Sequence, residues 1–198
     1  MLVLLILAHV LGTPLPPLWP DNLWQNITIN LESGSGGTAV YYFYSNQGWR
    51  LYLSYFSLNY CGQTPKYSAC IQTFVNQTLY IQTLSDCCIC CNETQGCSFA
   101  YSADWMKNAQ FIDQEIHNGY QSYKWKIITD QELYYYETAK TEPLDRITIA
   151  IYDSKGNSVS SYPQRLDPPQ LYTPCNGEIN YCPWVECASK RNQKMHTS

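Results

Sequence analysis

The sequence predicts a mainly β, antiparallel domain that is secreted and held together by disulfide bonds. Three observations carry this prediction: short segments alternate apolar and polar residues, the 198-residue chain contains ten cysteines, and it contains three Asn-x-Ser/Thr sequons. Alternation with a period of two is typical of strands that bury one face. We expect about eight to ten strands, one short helix and a disulfide-rich C-terminal extension.

The first segment of the chain, residues 1–12, predicts the core of a signal peptide. Its sequence, MLVLLILAHVLG, is almost entirely apolar and is shorter than the roughly 20 residues that a membrane-spanning helix requires. A buried strand or helix is the alternative interpretation. Later apolar runs are shorter still, so we expect an extracellular protein without a transmembrane anchor.

Residues 13–36 are predicted to form an N-terminal arm that is rich in Pro and Trp. The part that reads TPLPPLWPDNLW contains four prolines, which favour an extended backbone. Trp19 and Trp24 suggest that this arm docks on another surface.

The antiparallel β domain is predicted over residues 37–172. Two alternating segments flank the turn Asn46-Gln47-Gly48, and Asn118-Gly119 is the strongest hairpin signal in the chain. Strands are predicted at 38–45, 49–56, 78–84, 110–116, 120–128, 131–138, 146–152 and 158–162.

One short helix is predicted in the segment DWMKNA, where Ser102 or Asp104 is a candidate N-cap. After this domain, residues 173–198 are predicted to form a Cys-rich extension pinned by disulfides.

The cysteine cluster at residues 87–91 is the most unusual local feature. Its sequence, CCICC, contains two overlapping C-x-x-C pairs, which in a reducing compartment indicate zinc binding or redox chemistry. In an oxidising compartment, clustered thiols become disulfides, and this is the interpretation that the secretory signals favour. Neighbours along a strand point to opposite faces, so we expect these cysteines to pair with distant ones.

We expect at least one bridge from the 87–97 region to the C-terminal extension, and a local bridge between Cys61 and Cys70. The cysteines predicted to form disulfides are Cys61, Cys70, Cys87, Cys88, Cys90, Cys91, Cys97, Cys175, Cys182 and Cys187. The sequons predict N-linked glycans at Asn26, Asn76 and Asn92.

Several function classes are disfavoured by composition and motifs. The net charge is −4, which argues against electrostatic binding of nucleic acid. His117 is the only histidine inside the predicted fold, and we find no motif of a hydrolase, metalloprotease, nucleotide-binding loop or EF-hand. We therefore expect a protein that is not an enzyme and that uses no metal or other cofactor.

The order of several features resembles that of a known group. They are the cysteine-rich stretch 87–97, the DWMKNA segment, the sequence YKW at 123–125, and the Pro-Pro loop that leads to Cys175. Over residues 38–175 this order resembles the ependymin-related secreted proteins, whose fold belongs with the LolA/LolB-like half-barrels. The resemblance implies a curved antiparallel sheet around a helix, with an apolar ligand on its concave face. The CCICC cluster and the Cys-rich extension depart from that pattern.

We weigh two functions. The first is a secreted binding module that holds a lipid-like small molecule. Its candidate lining residues are Leu51, Leu53, Tyr55, Leu79, Ile81, Trp125, Ile147, Ile149 and Ile151. The alternative is a structural subunit of an extracellular matrix, coat or fibril. Such a subunit would assemble with copies of itself or with other extracellular proteins through the arm and the Tyr-rich strands.

Overall fold

The computed structural model describes residues 12–30, 36–54, 69–84, 86–97, 102–128, 132–161, 170–171, 173–175, 179–183 and 187. These residues form eleven strands and two short 3₁₀ helices. The strands are β1 Asn22–Asn30, β2 Gly36–Tyr44, β3 Gly48–Ser54, β4 Cys70–Val75, β5 Thr78–Gln82, β6 Cys87–Asn92, β7 Gln110–His117, β8 Tyr120–Ile128, β9 Glu132–Thr138, β10 Thr148–Asp153 and β11 Ser158–Ser161. The 3₁₀ helices are Glu93–Gln95 and Pro143–Asp145.

All eleven strands belong to one antiparallel sheet, in the order β6-β5-β4-β3-β2-β1-β11-β10-β9-β8-β7. Two meanders, β1 to β6 and β7 to β11, are joined where β1 pairs with β11, with Ile27 opposite Ser161 and Asn30 opposite Ser158. The sheet is curved. Its described strands do not close into a barrel, because β6 and β7 stand at opposite ends of the strand order. The predicted mainly β, antiparallel fold is confirmed. None of the helices in the described ranges is long and apolar enough to cross a membrane.

Turn chemistry accounts for the tight hairpins. Asn118 and Gly119 join β7 to β8 with φ angles of 50° and 83°, the left-handed pair that a two-residue hairpin turn requires. Asn76 and Gln77 join β4 to β5 in the same way, with φ angles of 50° and 60°.

The segment predicted as a short helix instead forms consecutive turns. The backbone N–H groups of Trp105, Lys107 and Ala109 each donate to the carbonyl three residues earlier. The segment is one or two turns long and leads directly into β7 at Gln110, which is too short to stabilise an α-helix by itself. Packing of Met106, which is 1% exposed, fixes these turns against the sheet.

Only the first part of the predicted arm lacks regular secondary structure, and the second part is a strand. Residues 12–20 have no regular secondary structure, whereas 22–30 form β1 in the interior of the sheet, paired with β2 over nine residue pairs. Leu23 and Ile29 are buried at alternate positions, as a strand requires. Residues 1–11 of the predicted signal peptide lie outside the described residues.

One face of the sheet, which we call the inner face, carries two large apolar clusters. The first, packed around Leu53 and Phe74, includes side chains from β1 to β6 and the bridged cysteines Cys182 and Cys187. The second lies on the other half of the sheet and centres on Trp125. The opposite, outer face carries smaller groups of aromatic residues.

The disulfides connect β6 to the C-terminal segment. The bridges are Cys87–Cys175, Cys88–Cys182, Cys90–Cys187 and Cys91–Cys97. The predicted link between the cluster and the extension is therefore confirmed, by three bridges. Cys70 is also disulfide-bonded, and Cys61 lies outside the described residues.

Candidate ligand-binding cavity

A cavity of about 390 Å³ lies on the inner face between the two apolar clusters. Its walls are mostly apolar and come from the strands of both meanders, from the N-terminal segment and from the turns before β7. The lining residues are Trp19, Gln25, Ile27, Ile29, Tyr41, Trp49, Leu51, Gln72, Trp105, Thr148, Ile151, Val159 and Ser161.

The curvature of the sheet creates this cavity. Gln72 on β4 and Ile151 on β10 both line it, although four strands lie between them in the sheet. In a flat sheet, five spacings of about 4.8 Å would separate these strands by about 24 Å. The sheet must therefore curve towards its inner face, and the cavity lies on the concave side.

The N-terminal segment closes part of the cavity through Trp19. Its backbone N–H donates to the carbonyl of Ala103 at 3.0 Å, and its Nε1 donates to the Tyr135 hydroxyl at 3.0 Å. The indole packs edge-to-face against Phe43 and Trp105, with ring centroids 4.9 and 5.5 Å away. These contacts give the segment a fixed position over the sheet.

The opposite wall is formed by β2 and β3. Trp49 stacks on Phe74, with ring centroids 6.2 Å apart, and Tyr41 lies edge-on to Trp19 at 6.4 Å. Aromatic rings on both walls provide a large, rigid, apolar contact area for a ligand.

Several hydroxyl groups at the cavity are paired with each other, whereas the amide nitrogen of Gln25 is not. The Tyr135 hydroxyl hydrogen-bonds Thr148 Oγ1 at 2.9 Å, and Ser161 Oγ donates to the Thr148 carbonyl. The side chain of Gln25 is 4% exposed, and its Nε2 has no hydrogen-bond partner among the described residues. None of the described lining residues carries a formal charge.

The nine residues predicted to line a ligand site lie in different places. Leu51 and Ile151 line the cavity. The others pack inside a cluster, lie elsewhere or are not described. Leu53, Leu79 and Ile81 belong to the first cluster and Trp125 to the second, Ile147 is half-buried outside the lining set, and Tyr55 lies outside the described residues.

A β-bulge explains why Ile149 does not share a face with Ile151. Strict alternation would place Ile149 and Ile151 on the same face. The pairing of β10 with β9 shifts by one residue between Thr148 and Ala150, and Ile149 packs with Tyr136 on the outer face instead.

The sequence does not predict several of the lining residues. For some of them, however, a pattern in the sequence indicates a buried position. Ile27 and Ile29 continue the alternation that begins at Leu23, but polar neighbours and the adjacent prolines conceal this pattern. Trp19 was singled out as a residue that docks, without a partner being assigned. Val159 lies in a serine-rich strand whose pattern gives little indication of a buried face.

The outer face carries an aromatic cluster around His117. Its ring stacks on Tyr136 with centroids 3.9 Å apart, and its Nε2 lies 3.1 Å from the Tyr152 hydroxyl. Burial lowers the pKa of His117; the carboxylate of Glu115 opposes this shift and Lys124 reinforces it. Histidine is the residue type that most often serves as an acid or base, but this one is held in an aromatic packing arrangement on the face opposite the cavity.

The three sequon asparagines occupy different environments. Asn26 is exposed on the outer face of β1, and Asn76 is exposed at the β4–β5 turn. Asn92 caps the first 3₁₀ helix by accepting a hydrogen bond from the Gln95 backbone. Their glycosylation remains a prediction.

The C-x-x-C pairs of the cysteine cluster leave zinc binding or redox chemistry as alternatives to disulfides. The Sγ atoms of Cys90, Cys91 and Cys97 lie within 4.8 Å of one another. All three are disulfide-bonded, and zinc is bound by thiolates rather than by disulfide sulfurs. In this structure, the three sulfurs act as cross-links.

Two further grooves, of about 540 and 600 Å³, are lined to a greater extent by polar side chains and turns. One lies beside Asn26 and Tyr120, and the other lies between the turns at Asn46 and Asn76. The inner-face cavity differs from both in the three tryptophans among its described lining residues.

No family model matches the chain, and no curated protein matches it. Solved structures similar to the chain include PNGF-II in space group P21, with 6% sequence identity and a TM-score of 0.36. The alignment covers 77% of this chain and 29% of the PNGF-II chain, so this chain spans a small part of that protein. A likeness at this level carries no conclusion about the family or the function of this chain.

Proposed function

We propose that this protein is a secreted, disulfide-bonded binding protein that is not an enzyme and that holds an apolar small molecule in the inner-face cavity. The observation that carries the proposal is a mostly apolar cavity with tryptophans from three separate parts of the chain, Trp19, Trp49 and Trp105. Small-molecule sites are typically concave and largely apolar, with a few polar groups that set orientation.

The surrounding structure supports a preformed site. Each of the two clusters packs against one side of the cavity, and four disulfides fix β6 and the segments bonded to it. The cavity volume of about 390 Å³ falls within the range of about 300–1,000 Å³ that small-molecule pockets occupy. Binding to a preformed cavity avoids the entropic cost of ordering the site.

The chemistry of the walls favours binding over catalysis. Within the part of the lining that the structure describes, there is no carboxylate, imidazole, thiol or amine. General acid–base and nucleophilic catalysis require such groups close to the reacting atoms. The resemblance to ependymin-related proteins also implies binding of an apolar ligand, and the disulfides and sequons favour an extracellular glycoprotein.

The assembly alternative loses one of its supports. It relied on an arm that is free to add a strand to a neighbouring sheet. Residues 22–30 of that arm pair with both β2 and β11 inside their own sheet, so exchanging them between molecules would require breaking both pairings.

The proposal is tested by filling the cavity. Val159 lines the cavity, and its neighbour Ser160 faces the other side of the same strand. We expect Val159→Phe to lower the fraction of secreted protein that carries a small molecule in native mass spectrometry. We expect Ser160→Phe, the matched control, to leave it unchanged.

Tryptophan fluorescence gives a second measurement, because three tryptophans line the cavity. Apolar probes should change the emission of the native protein and of Ser160→Phe, and should have a smaller effect on Val159→Phe. A native protein that carries no small molecule and does not respond to apolar probes would contradict the proposal.

A further inference from the structure

The side-chain amide of Gln25 is an unsatisfied donor at a mostly apolar site. The residue is 4% exposed and lines the cavity, and its Nε2 has no hydrogen-bond partner among the described residues. A buried polar group without a partner destabilises the folded protein. Native proteins satisfy most buried polar groups, and in a cavity the partner is a bound ligand or an ordered water molecule.

The hydroxyl groups of Thr148, Tyr135 and Ser161 already have partners. Thr148 Oγ1 is paired with the Tyr135 hydroxyl, and the Thr148 carbonyl accepts from Ser161 Oγ. The Tyr135 hydroxyl also accepts from Trp19 Nε1. The Gln25 amide therefore stands apart from this network as a donor available to a ligand.

The electrostatics of the walls restrict the ligand further. Where the structure describes the cavity walls, they contain no Asp, Glu, Lys, Arg or His. A carboxylate, phosphate or ammonium that entered the cavity would lose its hydration without gaining a partner of opposite charge, which is strongly unfavourable. A neutral oxygen loses much less, and it can accept one hydrogen bond from the amide.

We propose that the cavity selects uncharged apolar molecules that carry a hydrogen-bond acceptor, such as an alcohol, ester or ketone oxygen, and that Gln25 Nε2 donates to that oxygen. This inference rests on the proposed function, because it identifies the ligand class of the same cavity. It distinguishes neutral lipids from fatty acid anions and from pure hydrocarbons.

The test compares four probes that share a ten-carbon chain: decanoate, methyl decanoate, 1-decanol and decane. Binding at pH 7 to the secreted, disulfide-intact protein is followed by tryptophan fluorescence. We expect methyl decanoate and 1-decanol to bind about tenfold more tightly than decanoate.

Gln25→Leu then isolates the amide, since leucine is similar in size but has no donor. We expect it to weaken the binding of methyl decanoate about fivefold to tenfold, as one lost hydrogen bond requires, and to leave decane binding unchanged. Gln82→Leu is the matched control, because Gln82 lies on the outer face of β5 and should not alter the binding of any probe.

The outcomes separate this inference from the proposed function. If decanoate binds as tightly as its ester, or if Gln25→Leu leaves ester binding unchanged, the Gln25 inference is wrong while the binding function stands. If none of the four probes binds, both are overturned. Should Gln25→Leu fail to fold, the probe order measured on the native protein still decides the inference.

Discussion

Arg146 and Glu137 form a buried ion pair that connects distant parts of the chain. Their side chains are 1% and 2% exposed, and Arg146 Nη1 lies 3.0 Å from Glu137 Oε1. Arg146 also donates to the carbonyls of Leu15, Lys140 and Thr141. The pair thus fixes the N-terminal segment against the loop before β10.

Removing one partner leaves the other charge buried. We expect Arg146→Met to lower the free energy of unfolding by about 3–5 kcal/mol, the usual cost of breaking a buried pair. Chemical denaturation with the disulfides intact measures this. Adding Glu137→Gln should recover part of the loss, because the neutral amide oxygen can still accept from Trp125 Nε1, which now bonds Glu137 at 2.9 Å.

Lys107→Met provides the control for this ion pair. Lys107 and Asp104 are also paired, at 3.5 Å, but both side chains are largely exposed, so water screens their attraction. If Arg146→Met and Lys107→Met lowered the free energy of unfolding equally, the buried pair of Arg146 and Glu137 would contribute no more than an exposed one.

His117 gives the stability of the fold a pH dependence near neutrality. Burial lowers its pKa below the ordinary value of 6.5, so the unfolded chain binds more protons in that region. The contribution of His117 to the free energy of unfolding is therefore fully present above about pH 6.5, and it is lost as the pH falls through the pKa of the folded state.

We expect His117→Phe to reduce the loss of stability between pH 7 and pH 5. Phenylalanine keeps the stack on Tyr136 but cannot take up a proton. Denaturation curves of both proteins at the two pH values measure the difference. A loss of the same size in both proteins would show that His117 does not contribute.

At the scale of elements, the C-terminal segment acts as a cover for the edge strand β6. The backbone N–H of Ile89 donates to the carbonyl of Asn180 at 2.9 Å, and the N–H of Cys182 donates to the Ile89 carbonyl at 2.8 Å. Bridges from Cys87, Cys88 and Cys90 hold the segment there, with sequence separations of 88 to 97 residues. Covering an edge in this way prevents pairing with other sheets.

Parallel bridges are partly redundant, which gives a prediction about their removal. A single bridge that closes a loop of this length contributes about 4–5 kcal/mol in the chain-entropy model. When the other two bridges are present, the loop that the middle bridge closes is much shorter. We expect the paired substitution of Cys88 and Cys182 by Ala to cost only about 2 kcal/mol.

Substituting all three pairs should cost more than twice that amount and should expose the β6 edge. Denaturation measures the first effect, and hydrogen exchange of the Ile89 amide measures the second. If the single-pair variant loses as much stability as the triple-pair variant, the bridges are not redundant.

At the scale of the whole molecule, the two ends of the sheet are protected differently. β6 is covered, whereas β7 ends the other side of the described sheet and exposes Ile112 and Ile116, at 47% and 69%. Its pairing with β8 is interrupted by a bulge between Phe111 and Asp113. Bulges and charges are devices that discourage edge-to-edge association.

We therefore expect a monomer whose self-association is restrained by the acidic residues of β7. Replacing Asp113 and Glu115 by Thr should increase the mass found by sedimentation at rising concentration. The control replaces Glu142 and Asp145 by Thr. This double substitution makes the same change in net charge, at the N-cap and the last residue of the second 3₁₀ helix. A native protein that assembles by itself would instead favour the structural-subunit alternative.

Strand positions and hairpin turns could be read from the sequence because they depend on neighbouring residues. The segment 120–128 was predicted as a strand and is β8, and Asn118-Gly119 supplies the left-handed turn that precedes it. The linkage of the cysteine cluster to the C-terminal extension followed from the alternation of side chains along a strand. These features require only local backbone geometry and the chemistry of each residue type.

The cavity, in contrast, was decided by contacts between distant residues. Pairing of β1 with β11 joins the two meanders, and the resulting curvature brings Gln72 and Ile151 to one site. A one-residue bulge turns Ile149 away from that site, and Trp19 reaches it through a hydrogen bond to Tyr135, 116 positions later in the chain. The sequence by itself therefore determined the class of the fold, eight of the eleven described strands, and the link between the cysteine cluster and the C-terminal extension. Only the tertiary structure decided which side chains line the cavity, because strand order, bulges and curvature arise from long-range packing.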